Sequence, residues 1–158
     1  MGDDLDSLGG LIFQSKRRNE LVSEEPAITI SSRDFKRLDQ LLDSLPPNSY
    51  PEAELLRAEL ERAEVLNPER MPSDVVTMNS RVRFRVEPSE KEYEFTLVYP
   101  KDLDGSSGQI SILAPVGSAL LGLRIGQQIE WPALNGKPVR VRIVDILYQP
   151  EREGDYRR

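Results

Sequence analysis

The sequence contains no cysteine and no histidine among its 158 residues. The missing cysteines exclude disulfide bonds and thiolate nucleophiles, and the two absences together exclude zinc sites of the Cys/His kind and histidine acid–base catalysis. No apolar run approaches the ~20 residues that a membrane-spanning helix needs. The acidic start, with Asp3, Asp4 and Asp6, is unlike the basic start of a signal peptide. We therefore expect a cytoplasmic protein that holds no metal or cofactor and has no contact with a membrane.

Basic residues are in the minority, with 21 Lys and Arg against 27 Asp and Glu, which gives a net charge of −6. This balance argues against strong independent binding to nucleic acid, which depends on neutralising phosphates. Residues 1–27 combine mixed charge with Gly9-Gly10 and one short apolar patch, so we expect a flexible tail. Its basic triplet Lys16-Arg17-Arg18 allows a nucleic-acid contact, but a solvated charge cluster is the favoured interpretation.

Residues 28–72 predict a short antiparallel helical hairpin of the coiled-coil type. Ser31 or Ser32 can cap a first helix that ends near Leu45, and Pro51-Glu52 can open a second one. The two apolar stripes have spacings of three and four and consist of Phe35, Leu38, Leu42 and Leu45, then Ala53, Leu56, Leu60 and Ala63. Each helix of about 14 residues would be about 21 Å long. The turn between them, here called the hairpin tip, is Pro46, Pro47, Asn48, Ser49 and Tyr50.

Residues 73–158 predict a small antiparallel β domain with one short helix. Five segments alternate apolar and polar residues or are β-branched, as half-buried strands are; they are residues 81–86, 93–99, 109–113, 128–131 and 139–144. Turns are predicted at residues 88–90, 104–108 and 135–136. Ser118 can cap a helical turn over residues 119–121, which Gly122 can close in the left-handed conformation, and Gly126 permits the next turn.

Arginines recur on one face of two of these strands, at Arg81, Arg83, Arg85, Arg140 and Arg142. A solvated outer face that resists edge pairing is the favoured interpretation. The alternative is a basic strip that meets an acidic protein or nucleic acid.

Three separated motifs resemble a known family. Residues 110–126 resemble the C-terminal signature of the bacterial Gre transcript-cleavage factors, through Ile110-Ser111, Ala114-Pro115-Val116-Gly117-Ser118-Ala119-Leu120-Leu121-Gly122 and Gly126. The segment Met71-Pro72-Ser73-Asp74-Val75-Val76-Thr77-Met78-Asn79-Ser80-Arg81-Val82 resembles the linker of the Rnk family, regulators of nucleoside diphosphate kinase. The end is similar to that family too, with Leu147-Tyr148-Gln149-Pro150-Glu151 and Gly154-Asp155-Tyr156.

The resemblance implies an FKBP-like β domain and a monomeric partner of RNA polymerase that docks near its secondary channel. In Gre factors a much longer coiled coil enters that channel, and an Asp-x-x-Glu pair at its tip helps to hold a catalytic magnesium. The hairpin tip of this chain has no acidic residue. Asp43 and Glu52 flank it and are expected at solvent-facing helix ends. The resemblance therefore implies a non-enzymatic regulator that competes with Gre factors, does not cleave RNA and affects nucleoside diphosphate kinase levels.

A second contact is implied by the loop through which Gre factors grip the channel rim, which reads Asp-Ser-Pro. The matching positions here are Leu113, Ala114 and Pro115, of which only the proline agrees. We name residues 113–118 the rim loop; its candidate polymerase-binding residues are Leu113, Ala114, Pro115, Val116, Gly117 and Ser118.

Two other functions stay open from the sequence. One is a true Gre-type elongation factor that stimulates RNA cleavage. The other is an FKBP-like isomerase or chaperone, which needs an apolar cup lined by aromatics such as Trp131, Tyr93, Phe95 and Tyr99. A small domain needs those same aromatics for its core, and a fold alone does not confer activity.

Overall fold

The computed structural model describes residues 27–157 except 88, 90 and 133–137. Apart from Ala27, the expected flexible tail lies outside the described residues, as does the turn expected at residues 135–136. The protein is a mixed α+β structure built from a helical hairpin and a curled five-stranded sheet. In the described ranges, no helix combines the length and the apolar composition that a membrane span requires.

The hairpin begins with strand β1 (Thr29–Ser31), followed by helices α1 (Ser32–Ser44) and α2 (Glu52–Glu61). The hydroxyl oxygen of Ser31 accepts a hydrogen bond from the backbone N–H of Asp34 at 3.0 Å, which is the expected N-cap. Leu38 and Leu42 of α1 are 0% and 3% exposed, and Leu56 and Leu60 of α2 are 1% and 5% exposed. The leucine stripe is therefore buried.

The second helix is shorter than the sequence predicts. It ends at Glu61, and the chain then forms strand β2 (Glu64–Leu66), which pairs in parallel with β1 in the register Ile30↔Val65. The backbone N–H of Glu64 donates to the carbonyl of Ile28 at 2.8 Å. The prediction of about 14 residues was wrong because pairing with a strand more than 30 residues earlier outweighs the local helical pattern, which is a weak preference.

The main sheet has the expected five strands: β3 (Arg81–Glu87), β4 (Lys91–Val98), β5 (Gln109–Ser111), β6 (Gln128–Pro132) and β7 (Pro138–Tyr148). Their spatial order is β5-β4-β3-β7-β6. The sheet is not purely antiparallel, because β4 and β5 pair in parallel, with Thr96 opposite Gln109. Parallel neighbours need a crossover connection, so residues 104–108 belong to a crossover loop and not to the predicted hairpin turn.

Helix α3 (Pro115–Leu120) follows β5 and packs against β6 and β7. Pro115 occupies its first turn, where the missing N–H costs no hydrogen bond. Ser118 was predicted to cap a turn that starts at residue 119, and this prediction was wrong, because Ser118 lies buried inside the helix. Gly122 and Gly126 have φ angles of +81° and +90°, as expected for the residues that end the helix and make the next turn.

One continuous apolar core joins the hairpin to the sheet. The same buried cluster contains Leu38 and Leu60 of the hairpin, Phe84 and Ile143 of the sheet, and Leu120 of α3. The leucine stripe thus packs on the sheet side as well as between its own helices. The position of the hairpin is therefore fixed by apolar burial, the main favourable term in folding.

Candidate functional site

The hairpin tip is an exposed turn that is held by its own hydrogen bonds. Residues 46–50 are all exposed. The hydroxyl of Ser49 donates to the carbonyl of Pro46 at 2.7 Å, and Asn48 adopts φ +61°, a conformation that asparagine tolerates better than most residues. Tyr50 is 42% exposed. The tip therefore offers a fixed, uncharged surface with one aromatic ring.

The two acidic residues beside the tip lie in different environments. The side chain of Asp43 is 69% exposed and pairs with Arg57 at 3.3 Å. Glu52 was expected at the surface, yet it is 4% exposed, so that prediction was wrong. Its position at the start of α2 places the carboxylate near the positive end of the helix dipole. Within the described ranges, no group of three or more acidic residues is arranged to hold a metal ion.

The rim loop is divided between core and surface. Leu113, Gly117 and Ser118 are buried, whereas Ala114, Pro115 and Val116 keep partial exposure. The hydroxyl of Ser118 donates to the carbonyl of Ile112 at 2.6 Å, so this hydroxyl braces the loop and is not available to a partner. Among the rim-loop residues, only Ala114, Pro115 and Val116 therefore keep surface that a partner could reach.

Gly117 explains why the rim loop can pack so tightly. A Cβ atom on Gly117 would collide with the backbone carbonyl of Ser111 and lie 3.5 Å from the Cγ1 atom of Ile110. Glycine lets helix α3 approach strand β5 at backbone distance, as glycines at close contacts do. Gly117 is thus explained by packing, whatever binds to its neighbours.

The arginines on the outer face of the sheet are largely neutralised across the strands. Arg81 pairs with Glu94 at 2.8 Å and Arg85 with Glu92 at 2.9 Å. Arg83 lies 3.8 Å from the same Glu94, Arg140 pairs with Glu130 at 3.3 Å, and Arg142 donates to Gln128 at 3.5 Å. Cross-strand pairs of opposite charge stabilise a sheet. The observed pairing favours a solvated outer face over a basic strip.

A buried carboxylate that the sequence analysis did not single out joins the hairpin to the sheet. Asp34, 1% exposed, accepts hydrogen bonds from Arg37 at 2.7 Å and from the backbone N–H of Met78 at 3.1 Å. The hydroxyl of Tyr99 lies 3.4 Å away. Burial raises the pKa of Asp34, and the bonds from Arg37 and Met78 oppose that rise. Asp34 precedes Leu38 by four residues, so the helical spacing of the sequence already places Asp34 on the apolar face of α1.

The three motifs that resemble known families meet in space. Gln149, fully buried, donates from its side-chain amide to the carbonyls of Pro72 and Val75 at 2.8 and 2.7 Å. The hydroxyl of Thr77 donates to Glu151 at 2.8 Å; burial raises the pKa of that carboxyl, and the bond from Thr77 opposes the rise. The motif at residues 71–82 also contacts the Gre-like signature at residues 110–126, because the backbone N–H of Val76 donates to the carbonyl of Leu123 at 2.9 Å. These motifs therefore hold the fold together.

Among the described residues, the aromatic side chains that were candidates for an isomerase cup are packed against other parts of the protein. Trp131 and Tyr99 are 2% and 4% exposed and belong to the core. Phe84, Tyr93 and Phe95 pack on one another, with ring centroids 5.8 to 6.3 Å apart, within the range of stabilising aromatic pairs. These rings are used for packing.

Two family models match consecutive parts of the chain. The Rnk N-terminus model covers residues 26–66, and the C-terminal model of the GreA/GreB transcription elongation factors covers residues 71–148. The chain is 46% identical over 131 residues to the regulator of nucleoside diphosphate kinase of Escherichia coli strain K12, an alignment that covers 83% of this chain and 96% of that protein. The chain belongs to the Rnk family.

More distant relatives are the elongation factors themselves. GreA of Thermodesulfovibrio yellowstonii is 36% identical over 94 residues, which cover 60% of this chain and 59% of that protein. Among solved structures, a transcription elongation factor GreA/GreB from Nitrosomonas europaea is 59% identical, covers 78% of this chain and 100% of its own, and superposes with a TM-score of 0.63. The Rnk-type regulator therefore has a Gre-like fold.

Proposed function

We propose that the protein binds bacterial RNA polymerase at the entrance of its secondary channel and competes there with Gre factors, without stimulating RNA cleavage. The observation that carries the proposal is the short helical hairpin with its exposed, uncharged tip. In this proposal the chain works as a monomer in the cytoplasm and has no enzymatic activity of its own. An effect on nucleoside diphosphate kinase, which the E. coli relative is named for, is part of the same proposal.

The length of the hairpin limits how far it can reach. Helix α1 has 13 residues and α2 has 10, which at 1.5 Å per residue corresponds to about 20 Å and 15 Å. We regard residues 28–72 as a short coiled-coil plug and residues 73–158 as an FKBP-like docking domain. A plug of this length occupies the mouth of a channel and does not reach a distant catalytic centre.

The chemistry of the tip supports the absence of cleavage activity. Holding the catalytic magnesium ion requires hard oxygen ligands. The tip itself has no carboxylate, while nearby Asp43 is paired with Arg57 and Glu52 is buried. The rim loop supplies the second contact in this proposal, through the exposed parts of Ala114, Pro115 and Val116.

The decisive experiment adds the protein and magnesium to backtracked elongation complexes, with a Gre factor as the positive control. We expect no increase in 3′ RNA cleavage, and we expect added protein to slow the cleavage that the Gre factor stimulates. A dose-dependent cleavage product would instead identify a true elongation factor. Failure to slow the Gre reaction, together with no binding to core polymerase, would refute the proposed docking.

A matched pair of tyrosines tests the role of the tip. Tyr50 lies at the tip and is 42% exposed, and Tyr156 is 39% exposed near Arg157, whose carbonyl is bound by Arg33 at the opposite end of α1. We expect Tyr50→Ala to weaken competition about tenfold, the loss of one good contact residue. Tyr156→Ala should compete as well as the unaltered protein. Equal behaviour of the two variants would place the polymerase contact elsewhere.

A further inference from the structure

A cationic cavity of about 690 Å³ opens between the first turn of α1, the ends of β3 and β4, and the crossover loop. Five basic side chains and one carboxylate line it: Arg33, Arg37, Arg81, Lys101, Arg157 and Asp102. With the carboxylates of Asp34 and Glu94, which pair with Arg37 and Arg81, the site has a local excess of two positive charges, in a chain whose net charge is −6. The volume lies within the range of about 300–1,000 Å³ that is typical of small-ligand sites.

Two of these five cations are paired with carboxylates of the described residues, and three are not. Arg37 and Arg81 already pair with Asp34 and Glu94. In the part of the chain that the structure describes, Arg33, Lys101 and Arg157 form no ion pair with a carboxylate. Arg33 donates one bond, to the backbone carbonyl of Arg157 at 2.6 Å, which leaves its other N–H groups for an anion. An arginine fork and a lysine ammonium together are well suited to phosphate oxygens.

Neutral donors and a shaped loop complete the cavity. The lining includes Asn79, Thr96, Ser106 and Ser107, whose amide and hydroxyl groups can bond phosphate oxygens. The loop is held in shape because the side-chain amide of Gln109 accepts from the N–H of Asp104 at 3.1 Å and donates to the carbonyl of Asp102 at 3.2 Å. The site is therefore preformed, which reduces the entropy cost of binding.

A second cavity of about 400 Å³ lies next to the first and shares Arg37 and Lys101 with it. Its walls include Leu41, Tyr99 and Pro100, so it is mainly apolar. A charged cavity and an apolar cavity that meet at two cations match a ligand with a charged chain and a flat apolar group.

We propose that the cationic cavity binds the phosphate chain of a di- or triphosphate, held by Arg33 and Lys101. The chain can come from an inorganic polyphosphate or from a nucleotide whose base enters the apolar cavity. The site lies at the first turn of α1, whereas the hairpin tip follows the last turn, so phosphate binding is separate from the polymerase contact that is proposed for the tip.

Calorimetric titration of the full chain at low salt, without magnesium, tests the proposal with two probes, inorganic tripolyphosphate and ATP. We expect saturable 1:1 binding of both that weakens as salt is added, since salt screens exposed charges. Equal affinity for tripolyphosphate and ATP would show that the site recognises the phosphate chain alone. An affinity for ATP about tenfold higher than that for tripolyphosphate would identify a nucleotide site. Absence of saturation by either probe at millimolar concentration would overturn the proposal, as would binding of single-stranded oligonucleotide alone.

Matched lysine variants locate the site. Lys101→Gln removes a cavity charge that makes no internal ion pair, and we expect it to weaken tripolyphosphate binding about tenfold, the loss of one charge-assisted contact. Lys91→Gln removes the same charge at the far end of β4, outside the cavity lining, and should change binding less than about twofold. Tyr50→Ala should leave binding unchanged. Equal losses from both lysine variants would show that only general charge is sensed, and the proposed site would be wrong.

Discussion

Replacing Gly122 by alanine tests how the N-terminal segment is locked onto the sheet domain. Gly122 has φ +81°, and a Cβ there would collide with the Cβ of Ile28 and come within 3.1 Å and 3.2 Å of its Cγ2 and Cδ1 atoms. Ile28 is 3% exposed and comes just before β1. The left-handed conformation costs alanine about 1–2 kcal/mol, and overpacking adds about 1–3 kcal/mol. We expect the free energy of unfolding to fall by about 2–5 kcal/mol.

A second glycine provides the control for the conformational part of this cost. Gly126 has φ +90°, but a Cβ there meets no heavy atom within 4 Å. Gly126→Ala should therefore cost only about 1–2 kcal/mol. The difference between the stability losses of the two variants measures the cost of the contact between the added Cβ at position 122 and Ile28.

Urea denaturation followed by fluorescence is a suitable assay, because the chain has a single tryptophan and Trp131 is 2% exposed. Adding Ile28→Gly, which removes the colliding Cβ together with the Cγ2 and Cδ1 atoms, to Gly122→Ala should make the double variant more stable than the sum of the single losses predicts, by about 0.5–3 kcal/mol. If Gly122→Ala costs no more than Gly126→Ala and the cycle shows no coupling, Ile28 does not press on Gly122 and the reasoning fails.

Three further predictions concern a carboxyl, a leucine pair and the rim loop. Burial raises the pKa of Glu151 above its ordinary value of 4.5, so the folded state favours the protonated carboxyl. The contribution of this preference to folding stability is present below that pH and is lost as the pH rises through the pKa of the folded state. The stability of the unaltered protein minus that of Glu151→Gln should thus fall as the pH of the urea titrations is raised above about 4.5, and a constant or rising difference would contradict this. Leu42 is 3% exposed, and Leu42→Ala should lower the free energy of unfolding by about 2–5 kcal/mol. Leu103 is 48% exposed, and Leu103→Ala should lower it by about 1 kcal/mol or less. Similar losses from the two variants would mean that the leucine stripe of the hairpin is not tightly packed. Pro115→Glu should fold normally by circular dichroism, because a carboxylate suits the first turn of α3, but should weaken polymerase binding by about 1–3 kcal/mol; unchanged affinity would make the rim loop purely structural.

Features that depend on neighbouring residues could be predicted from the amino-acid sequence. The cap at Ser31, the apolar spacing of α1, the strand alternation of β3 and the positive φ of Gly122 all follow from local sterics and hydrogen bonding. The lack of carboxylates at the hairpin tip is a fact of composition. The expectation of a Rnk-type, Gre-like protein likewise rested on motifs that are continuous in the chain, and the family matches confirm it.

Pairings between residues that are far apart in the sequence could not be predicted in the same way, because they depend on how the chain packs in three dimensions. Residues 64–66 leave the helical pattern because β1 supplies hydrogen bonds from more than 30 residues away, and β5 is parallel to β4 because the crossover loop returns the chain to the same end of the sheet. Ser118 and Glu52 have ordinary surface preferences, yet the elements packed over them bury both. The cationic cavity joins residues from 33 to 157. Local propensities carry no information about such distant partners, whose combined burial and hydrogen bonding outweigh them.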